Sequence, residues 1–174
     1  MAEKKRSEQR GVIIGGAVVI VAVAALLFVM LAVPTIQANK ALDEVVEQME
    51  GFSHGDLLVM EDPYLEEVGV IPKEAQAVLE GDRAEEYLAP LLEILNSVSY
   101  KTLEKTIVGS WVPSVTVRNA AGQYRLYLRR DAVYVENEKG RYVFAVEETA
   151  QEAYDRYYAD MSALLAEHIT ESSY

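Results

Sequence analysis

The chain has 174 residues, a formal net charge of −12 and no cysteine. This length suits one domain with an appendage, since a single domain commonly holds about 100 to 150 residues. The lack of cysteine excludes a disulfide framework, a thiolate metal site and a thiol nucleophile. The acidic balance argues against nucleic acid as a partner, because phosphate groups repel an acidic surface.

The first predicted element is a long apolar helix. The chain from Val12 to Ile36 carries no charged residue and is mostly aliphatic. As a helix it would extend about 37 Å at about 1.5 Å per residue, which spans a lipid bilayer with some tilt. The hydrophobic region of a cleaved secretory signal has only about 7 to 15 residues, so we expect an uncleaved anchor. Cleavage after Ala38, which would release a secreted domain, is the alternative.

The charges on either side of this helix predict its orientation. Acidic residues follow it, among them Asp43 and Glu44, whereas basic residues precede it: Lys4, Lys5, Arg6 and Arg10. Under the positive-inside rule the N-terminus is therefore cytoplasmic. We expect a cytoplasmic tail over residues 1–10, a transmembrane helix over residues 11–37 and an extracytoplasmic domain over residues 38–174, in the cell membrane of a bacterium.

Gly11 and Gly15 are the one pair with the small-xxx-small spacing that favours close contact between membrane helices. Glycine is also common in membrane spans, and a helix end that simply faces lipid is the more frequent case. Helix contact through this pair is therefore the weaker of two interpretations.

The region 38–100 is predicted to be mainly helical. Leu42, Val45, Val46 and Met49 follow helical spacing ahead of a glycine stop at Gly51. Residues 52–72 are interpreted as a loop with one or two short strands, at residues 57–60 and 68–71. Residues 72–81 suit a short helix, and a longer one is expected from Asp82, capped by Glu85, to residue 98, with a kink or break at Pro90.

Residues 106–147 change character, because Val, Tyr, Thr and Phe alternate with polar residues. Four strands are predicted at residues 114–118, 123–129, 132–136 and 141–146, and their short connections imply an antiparallel meander. Thr149 and Glu152 then form a capping box for a final helix over residues 149–170, which should cover the sheet. The expected fold class is α+β, with one N-terminal transmembrane helix.

Side chains alternate between the two faces of a strand, so the pattern also assigns faces. Tyr124, Leu126 and Leu128 should point into the core. The opposite side should carry an open surface, here called the Arg/Tyr face, made of Arg118, Arg125, Tyr127, Arg129, Tyr134 and Arg141. Such residues commonly form cross-strand pairs that stabilise the sheet alone. The alternative is a binding surface for an anionic wall polymer, a glycan or a partner protein.

No catalytic, metal or cofactor motif is recognised in the sequence. His54 lies in an acid-rich loop with Asp56, Glu61 and Asp62, but the spacing does not match a calcium loop or a zinc motif. His168 suits the last turn of a helix, where its ring complements the helix dipole. Adjacent carboxylates such as those of residues 66–67 and 85–86 diverge on a helix, so we expect no catalytic, cofactor-binding or metal-binding residue.

The leading hypothesis is a single-pass, non-enzymatic binding or scaffold protein whose outer domain contacts a wall polymer or another envelope protein. An enzyme that uses carboxylates alone is the least supported class. A charged leader ending in Gly11, a long apolar helix with Pro34 late in it, an amphipathic continuation and a meander resemble the layout of type IV pilin-like subunits. The resemblance implies a structural subunit that starts at Val12, although Gly16 stands where the family has glutamate.

Overall fold

The computed structural model describes residues 2–65, 73–101, 112–120, 122–137 and 140–171. The chain divides into two compact units, Met1–Gln37 (unit 1) and Ala38–Tyr174 (unit 2). The strand predicted at residues 68–71 and the carboxylates of residues 66–67 lie outside the described residues. Gly11, Gly15 and Val12 lie within the first helix, and helix contact through the two glycines stays a prediction.

Unit 1 consists of the first part of helix α1 (Ala2–Glu50), which includes Pro34. Between residues 18 and 36, large apolar side chains face outward; Ile20 is 70% exposed and Phe28 is 68% exposed. The helix is long and apolar enough to cross a membrane, with a mean hydropathy of 2.8 in its most apolar window. These properties are shared by a membrane anchor and a signal sequence.

The last part of α1 belongs to unit 2 and packs into its core. Ala38, Ala41, Val45 and Met49 are all buried, and they recur three or four residues apart on one side of the helix. Leu42 and Val46 pack against the same core from the flanks. The predicted amphipathic helix is confirmed, and it ends at Glu50, immediately before Gly51.

Within the described residues, the sheet of unit 2 has eight strands: β1 (Leu57–Leu65), β2 (Lys73–Leu79), β3 (Val98–Tyr100), β4 (Ser114–Asn119), β5 (Gly122–Arg129), β6 (Ala132–Asn137), β7 (Gly140–Val146) and β8 (Ile169–Glu171). Their spatial order is β3-β7-β6-β5-β4-β1-β2-β8, and neighbouring strands pair in the antiparallel sense. The predicted meander is confirmed as β4 to β7. The predicted number of strands, about four, is wrong because β1, β2 and β8 extend one edge and β3 the other.

Two turns of the meander share the same chemistry. The side-chain oxygen of Asn119 accepts a hydrogen bond from the amide of Gly122 at 3.1 Å, and Asn137 does the same for Gly140 at 3.2 Å. Both glycines have positive φ, 155° and 156°, which residues with a side chain rarely adopt. Asparagine at the start and glycine at the end therefore specify both turns.

Strand β2 corrects the helix predicted over residues 72–81. Lys, Glu, Ala and Gln in this segment are good helix formers, but they also alternate. Ala75, Ala77 and Leu79 are buried, whereas Val78 is 54% exposed. Pairing with β1 through partners such as Ala77 and Met60 therefore overrides the helical propensity of the segment. Within residues 38–100, the end of α1 and helix α2 therefore alternate with the strands β1, β2 and β3.

Helices α2 (Gly81–Leu95) and α3 (Gln151–Ala166) cover one side of the sheet together with the last part of α1. The N-cap residues are Glu80 and Ala150, and neither makes a side-chain cap hydrogen bond. The two predicted capping boxes are therefore not formed. Pro90 lies inside α2 without ending it, and the helix stays on the sheet through its buried residues Ala84, Leu88, Leu91, Ile94 and Leu95.

The predicted C-terminal helix is confirmed as α3, with a shorter extent, and its apolar stripe faces the sheet. Tyr154, Tyr157, Met161, Leu164 and Leu165 are buried and recur at helical spacing. The hydroxyl of Tyr154 donates to the carbonyl oxygen of Arg129 and lies 3.4 Å from that of Ala132. Helix α3 is thereby attached to the turn between β5 and β6.

Candidate functional site

The Arg/Tyr face lies on the side of the sheet opposite the three helices. Leu126 and Leu128 point into the core under the helices, and Tyr124 packs at its margin, as the alternation predicts. On the other side, Glu136 is the strand partner of both Arg125 and Arg141. Carboxylate and guanidinium groups therefore lie side by side across three strands.

Hydrogen bonds join these neighbours into one network. The Nε atom of Arg141 donates to Oε1 of Glu136 at 2.8 Å, and the Tyr127 hydroxyl donates to Oε2 at 2.8 Å. The Nε atom of Arg125 donates to Oγ1 of Thr116 at 3.0 Å. Glu136 is therefore held from two sides, and the positive charge of Arg141 is compensated within the sheet.

Glu61 on β1 completes the network and was not recognised in the sequence as part of this face. Its Oε2 atom lies 3.8 Å from Nη2 of Arg125, and its Oε1 atom accepts a hydrogen bond from Gln76 at 2.8 Å. The sequence contains a signal for this placement, because Leu57, Val59 and Glu61 are two residues apart and therefore share one side of β1. What was missing was the pairing of β1 with β4, which brings Glu61 opposite Ser114.

The two tyrosines of the face are buried rather than open. Tyr127 is 7% exposed and Tyr134 is 1% exposed. The Arg129 guanidinium carbon lies 5.8 Å from the centre of the Tyr134 ring, and that of Arg141 lies 5.3 Å from the Tyr127 ring. The prediction of an open surface with exposed tyrosines is therefore wrong, because the rings pack with Ala132, Val143 and Val112 and the arginines lie over them in cation–π contact.

Arg118 differs from the other arginines of the face. It is exposed at the end of β4, opposite Gln123 of β5 and Leu57 of β1. Within the described residues its guanidinium has no hydrogen bond or ion pair. It is therefore the guanidinium of this face that is most accessible to an external anion.

The pKa of Glu136 follows from this network. Burial raises the pKa of its carboxyl group, but the hydrogen bonds from Arg141 and Tyr127 outweigh burial, so the pKa lies below the usual value. The pKa of Arg141 is raised by its hydrogen bond to Glu136. Both groups are thus charged at neutral pH, and the pair is a permanent feature of the surface.

We expect the variant Glu136→Gln to lower the stability of unit 2 at neutral pH by less than about 1 kcal/mol, because the ion pair is partly exposed. A lowered folded-state pKa contributes stability above the unfolded pKa, and this contribution is lost as the pH falls through the folded value. The difference from the wild type should therefore vanish in acid. Urea unfolding across a pH series measures this difference in stability. Glu47→Gln, at an exposed position of α1, is the control. A difference that stays constant at all pH values would contradict the network.

The two histidines do not form a site. His54 lies in the loop before β1, where Asp56 accepts hydrogen bonds from the amide and hydroxyl of Ser53 at 2.8 and 3.0 Å. The Nδ1 atom of His168 lies 3.0 Å from the carbonyl oxygen of Leu164, in the last turn of α3. Among the described residues, no three acidic or histidine side chains converge as metal ligands.

A second concave surface lies between α2 and α3 and has a volume of about 530 Å³. Its walls are the facing rows of the two helices, and small residues such as Pro90, Ala153 and Ala163 leave the space open. Six charged side chains line it: Arg83, Glu86, Glu93, Arg156, Asp160 and Glu167. This groove could not be predicted from the sequence, because its residues have the pattern of the solvated sides of two helices.

Tyr157 lines this groove and is 2% exposed. Its hydroxyl is buried and has no hydrogen-bond partner, which costs about 1 to 3 kcal/mol for a polar group of this kind. Burial raises the pKa of Tyr157, and it also raises the pKa of Tyr87 on the facing wall. Both hydroxyls are therefore neutral at physiological pH.

Comparison of the chain with protein-family models, with curated proteins and with solved structures finds no match. The function proposed below rests on the sequence and on the geometry of the described residues.

Proposed function

We propose that this protein is a single-pass membrane protein of a bacterial envelope, with unit 2 outside the cytoplasm as a non-enzymatic binding or scaffold domain. One observation carries the proposal. Among the described residues, the exposed large apolar side chains lie between residues 18 and 36, with Val78 as the exception. Such a continuous apolar surface is stable in lipid and unfavourable in water.

Unit 2 has the properties of a domain that works in water. It has its own core of three helices and a sheet, and most of its described ionic side chains are exposed or half-buried, with Asp62 as a buried exception. The flanking charges of α1 favour the cytoplasmic side for residues 1–10 and the outer side for unit 2. The proposed bilayer contact is made by the residues from Val12 to Ile36.

The Arg/Tyr face is our proposed contact surface for an envelope protein or a cell-wall polymer. Most of its cations are hydrogen-bonded within the sheet, so the face presents a preorganised pattern of charge rather than mobile side chains. Preorganised groups lose little freedom on binding. Arg118, at the margin of this pattern, is the group we expect to contact an anionic partner.

The topology can be tested with single cysteines, because the chain has none of its own. We expect Glu85→Cys, on the exposed side of α2, to react with a membrane-impermeant maleimide in intact cells. Ser7→Cys should react only after lysis. Ala84→Cys, at the buried neighbouring position of the same helix, should be labelled only after the protein is denatured. This control shows that labelling reports the exposure of the cysteine.

Labelling of Ser7→Cys in intact cells together with protection of Glu85→Cys would reverse the proposed orientation. Recovery of the protein from the medium, with an N-terminus near Asn39, would identify a cleaved signal and a secreted domain. The first outcome contradicts the proposed orientation, and the second contradicts the anchored protein.

A pilin-like structural subunit is the second proposal. The supporting observation is that the later part of α1 packs on an antiparallel meander, while its earlier part exposes apolar side chains. The intact mass and N-terminus of the protein from the membrane fraction discriminate between the two. A chain that starts at Val12 supports the pilin-like subunit, and an uncleaved chain supports the anchored domain.

A further inference from the structure

A smaller pocket of unit 2, separate from the groove between α2 and α3, lies between the start of α3 and the turn that joins β5 to β6. It has a volume of about 320 Å³ and is lined by Arg130, Tyr154, Asp155 and Tyr158. Sites for small molecules range from about 300 to 1,000 Å³. The pocket is at the small end of this range and therefore suits a compact ligand.

Hydrogen bonds hold the walls of this pocket in place. The Nε2 atom of Gln151, the first residue of α3, donates to the carbonyl oxygen of Arg130 at 3.2 Å and to Oδ1 of Asp155 at 2.9 Å. The hydroxyl of Tyr154 donates to the carbonyl oxygen of Arg129 at the start of the same turn. The turn is thus attached to α3, and the pocket is preorganised for a ligand.

Arg130 and Asp155 carry opposite charges in the same pocket but do not pair with each other. Both side chains are exposed, and within the described residues the Arg130 guanidinium makes no hydrogen bond or ion pair. Asp131, the next residue of the turn, pairs with Lys101 at 3.7 Å instead. Asp155 accepts its hydrogen bond from Gln151 through Oδ1. A single ligand can therefore contact one cation and one anion of the protein at the same time.

Two tyrosines supply the apolar part of the pocket. Tyr154 is 1% exposed and forms part of the floor, and Tyr158, one helical turn further along α3, is half-buried. Within the described residues the Tyr158 hydroxyl has no hydrogen-bond partner. Burial raises the pKa of Tyr158, so its hydroxyl is neutral at physiological pH and does not repel an anion. Aromatic rings at this position favour a ligand with an apolar body.

We propose that this pocket binds a free α-amino acid with an apolar side chain. The carboxylate of the ligand contacts Arg130, its ammonium group contacts Asp155, and its side chain packs on the two tyrosine rings. Guanidinium groups bind carboxylates through two parallel hydrogen bonds, and ammonium groups donate to carboxylates, so both charges of a zwitterion are matched. The site is separate from the Arg/Tyr face and does not depend on the function proposed for that face.

The test is isothermal titration of the full chain in a non-ionic detergent, with phenylalanine as the probe. We expect saturable binding of one phenylalanine per chain. Two analogues each lack one charge, since phenylalaninamide has no carboxylate and N-acetylphenylalanine has no ammonium group. Each analogue should bind about tenfold more weakly than phenylalanine, as the loss of one charge-assisted hydrogen bond implies.

Two variants assign each charge of the ligand to one residue. Arg130→Gln should weaken the binding of phenylalanine about tenfold but leave that of phenylalaninamide unchanged, because the amide has no carboxylate to lose. Asp155→Asn, which keeps an acceptor for Gln151, should show the same selective loss for phenylalanine over N-acetylphenylalanine. The controls are the same changes at exposed positions outside the pocket, Arg118→Gln and Asp160→Asn, which should keep the wild-type affinity.

The absence of saturable phenylalanine binding would overturn the proposal. Equal affinities for phenylalanine and its two analogues would do so as well, because the charges of the ligand would then have no role. An equal loss of phenylalanine and phenylalaninamide binding in Arg130→Gln would contradict the contact between Arg130 and the carboxylate. A loss of affinity in Asp160→Asn as large as that in Asp155→Asn would place the ligand outside this pocket.

Discussion

The variant Val45→Asp is expected to prevent unit 2 from folding. Val45 lies on the last part of α1 and is fully buried, with 0% of its surface exposed. An unpaired carboxylate at this position loses its hydration and costs several kcal/mol, a large part of the about 5 to 15 kcal/mol that stabilises a typical domain. The change therefore tests whether the helix that follows the apolar segment is part of the core.

The measurement is limited proteolysis of the full chain in detergent, combined with the near-ultraviolet circular dichroism of its tyrosines. Asn39→Asp introduces the same group at an exposed position of the same helix and should leave both signals unchanged. Wild-type protease resistance of Val45→Asp would show that α1 contributes little to the core. A soluble fragment of unit 2 should, on the same reasoning, begin at Ala38 or earlier and not at Gly51.

The variant Phe144→Ala is expected to lower the free energy of unfolding by about 3 to 5 kcal/mol, the usual cost of removing a buried aromatic side chain. Phe144 on β7 is 1% exposed, and its ring centre lies 5.8 Å from that of Tyr100 on the edge strand β3. Truncation thus leaves a cavity and removes the contact that holds β3 on the sheet.

Urea unfolding monitored by tyrosine fluorescence measures this loss. Val78→Ala, at the exposed position of β2, should change stability by no more than about 0.5 kcal/mol. Equal effects of the two substitutions would mean that β7 is not at the centre of the core. A loss confined to the unfolding of β3 would appear as a separate early transition.

The structure distinguishes two kinds of charged surface on unit 2. On the Arg/Tyr face, Arg125 and Arg141 have carboxylate neighbours, and the network has a structural role whatever else it does. In the α2–α3 groove, the carboxylates of Asp160 and Glu167 are exposed and form no ion pair among the described residues. Water solvates exposed carboxylates of this kind, so they need no ionic partner.

Several features follow from the sequence by itself because they depend on local pattern. A long apolar segment has few alternatives to an exposed helix or a span, and α1 is such a helix. The strands β4 to β7 alternate strictly and are joined by short turns, so both their positions and their inward faces were predictable. Leu126 and Leu128 were placed correctly because side-chain direction in a strand has a period of two residues.

Other features were decided only by tertiary structure, because they depend on residues distant in the chain. The segment of β2 has helical propensity, and only its pairing with β1 makes it a strand. Tyr127 and Tyr134 were predicted on the correct side of the sheet but not buried, since burial depends on arginines from neighbouring strands. The groove arises where α2 meets α3. Local periodicity determines which way a side chain points, whereas its neighbours are determined by how distant segments pack.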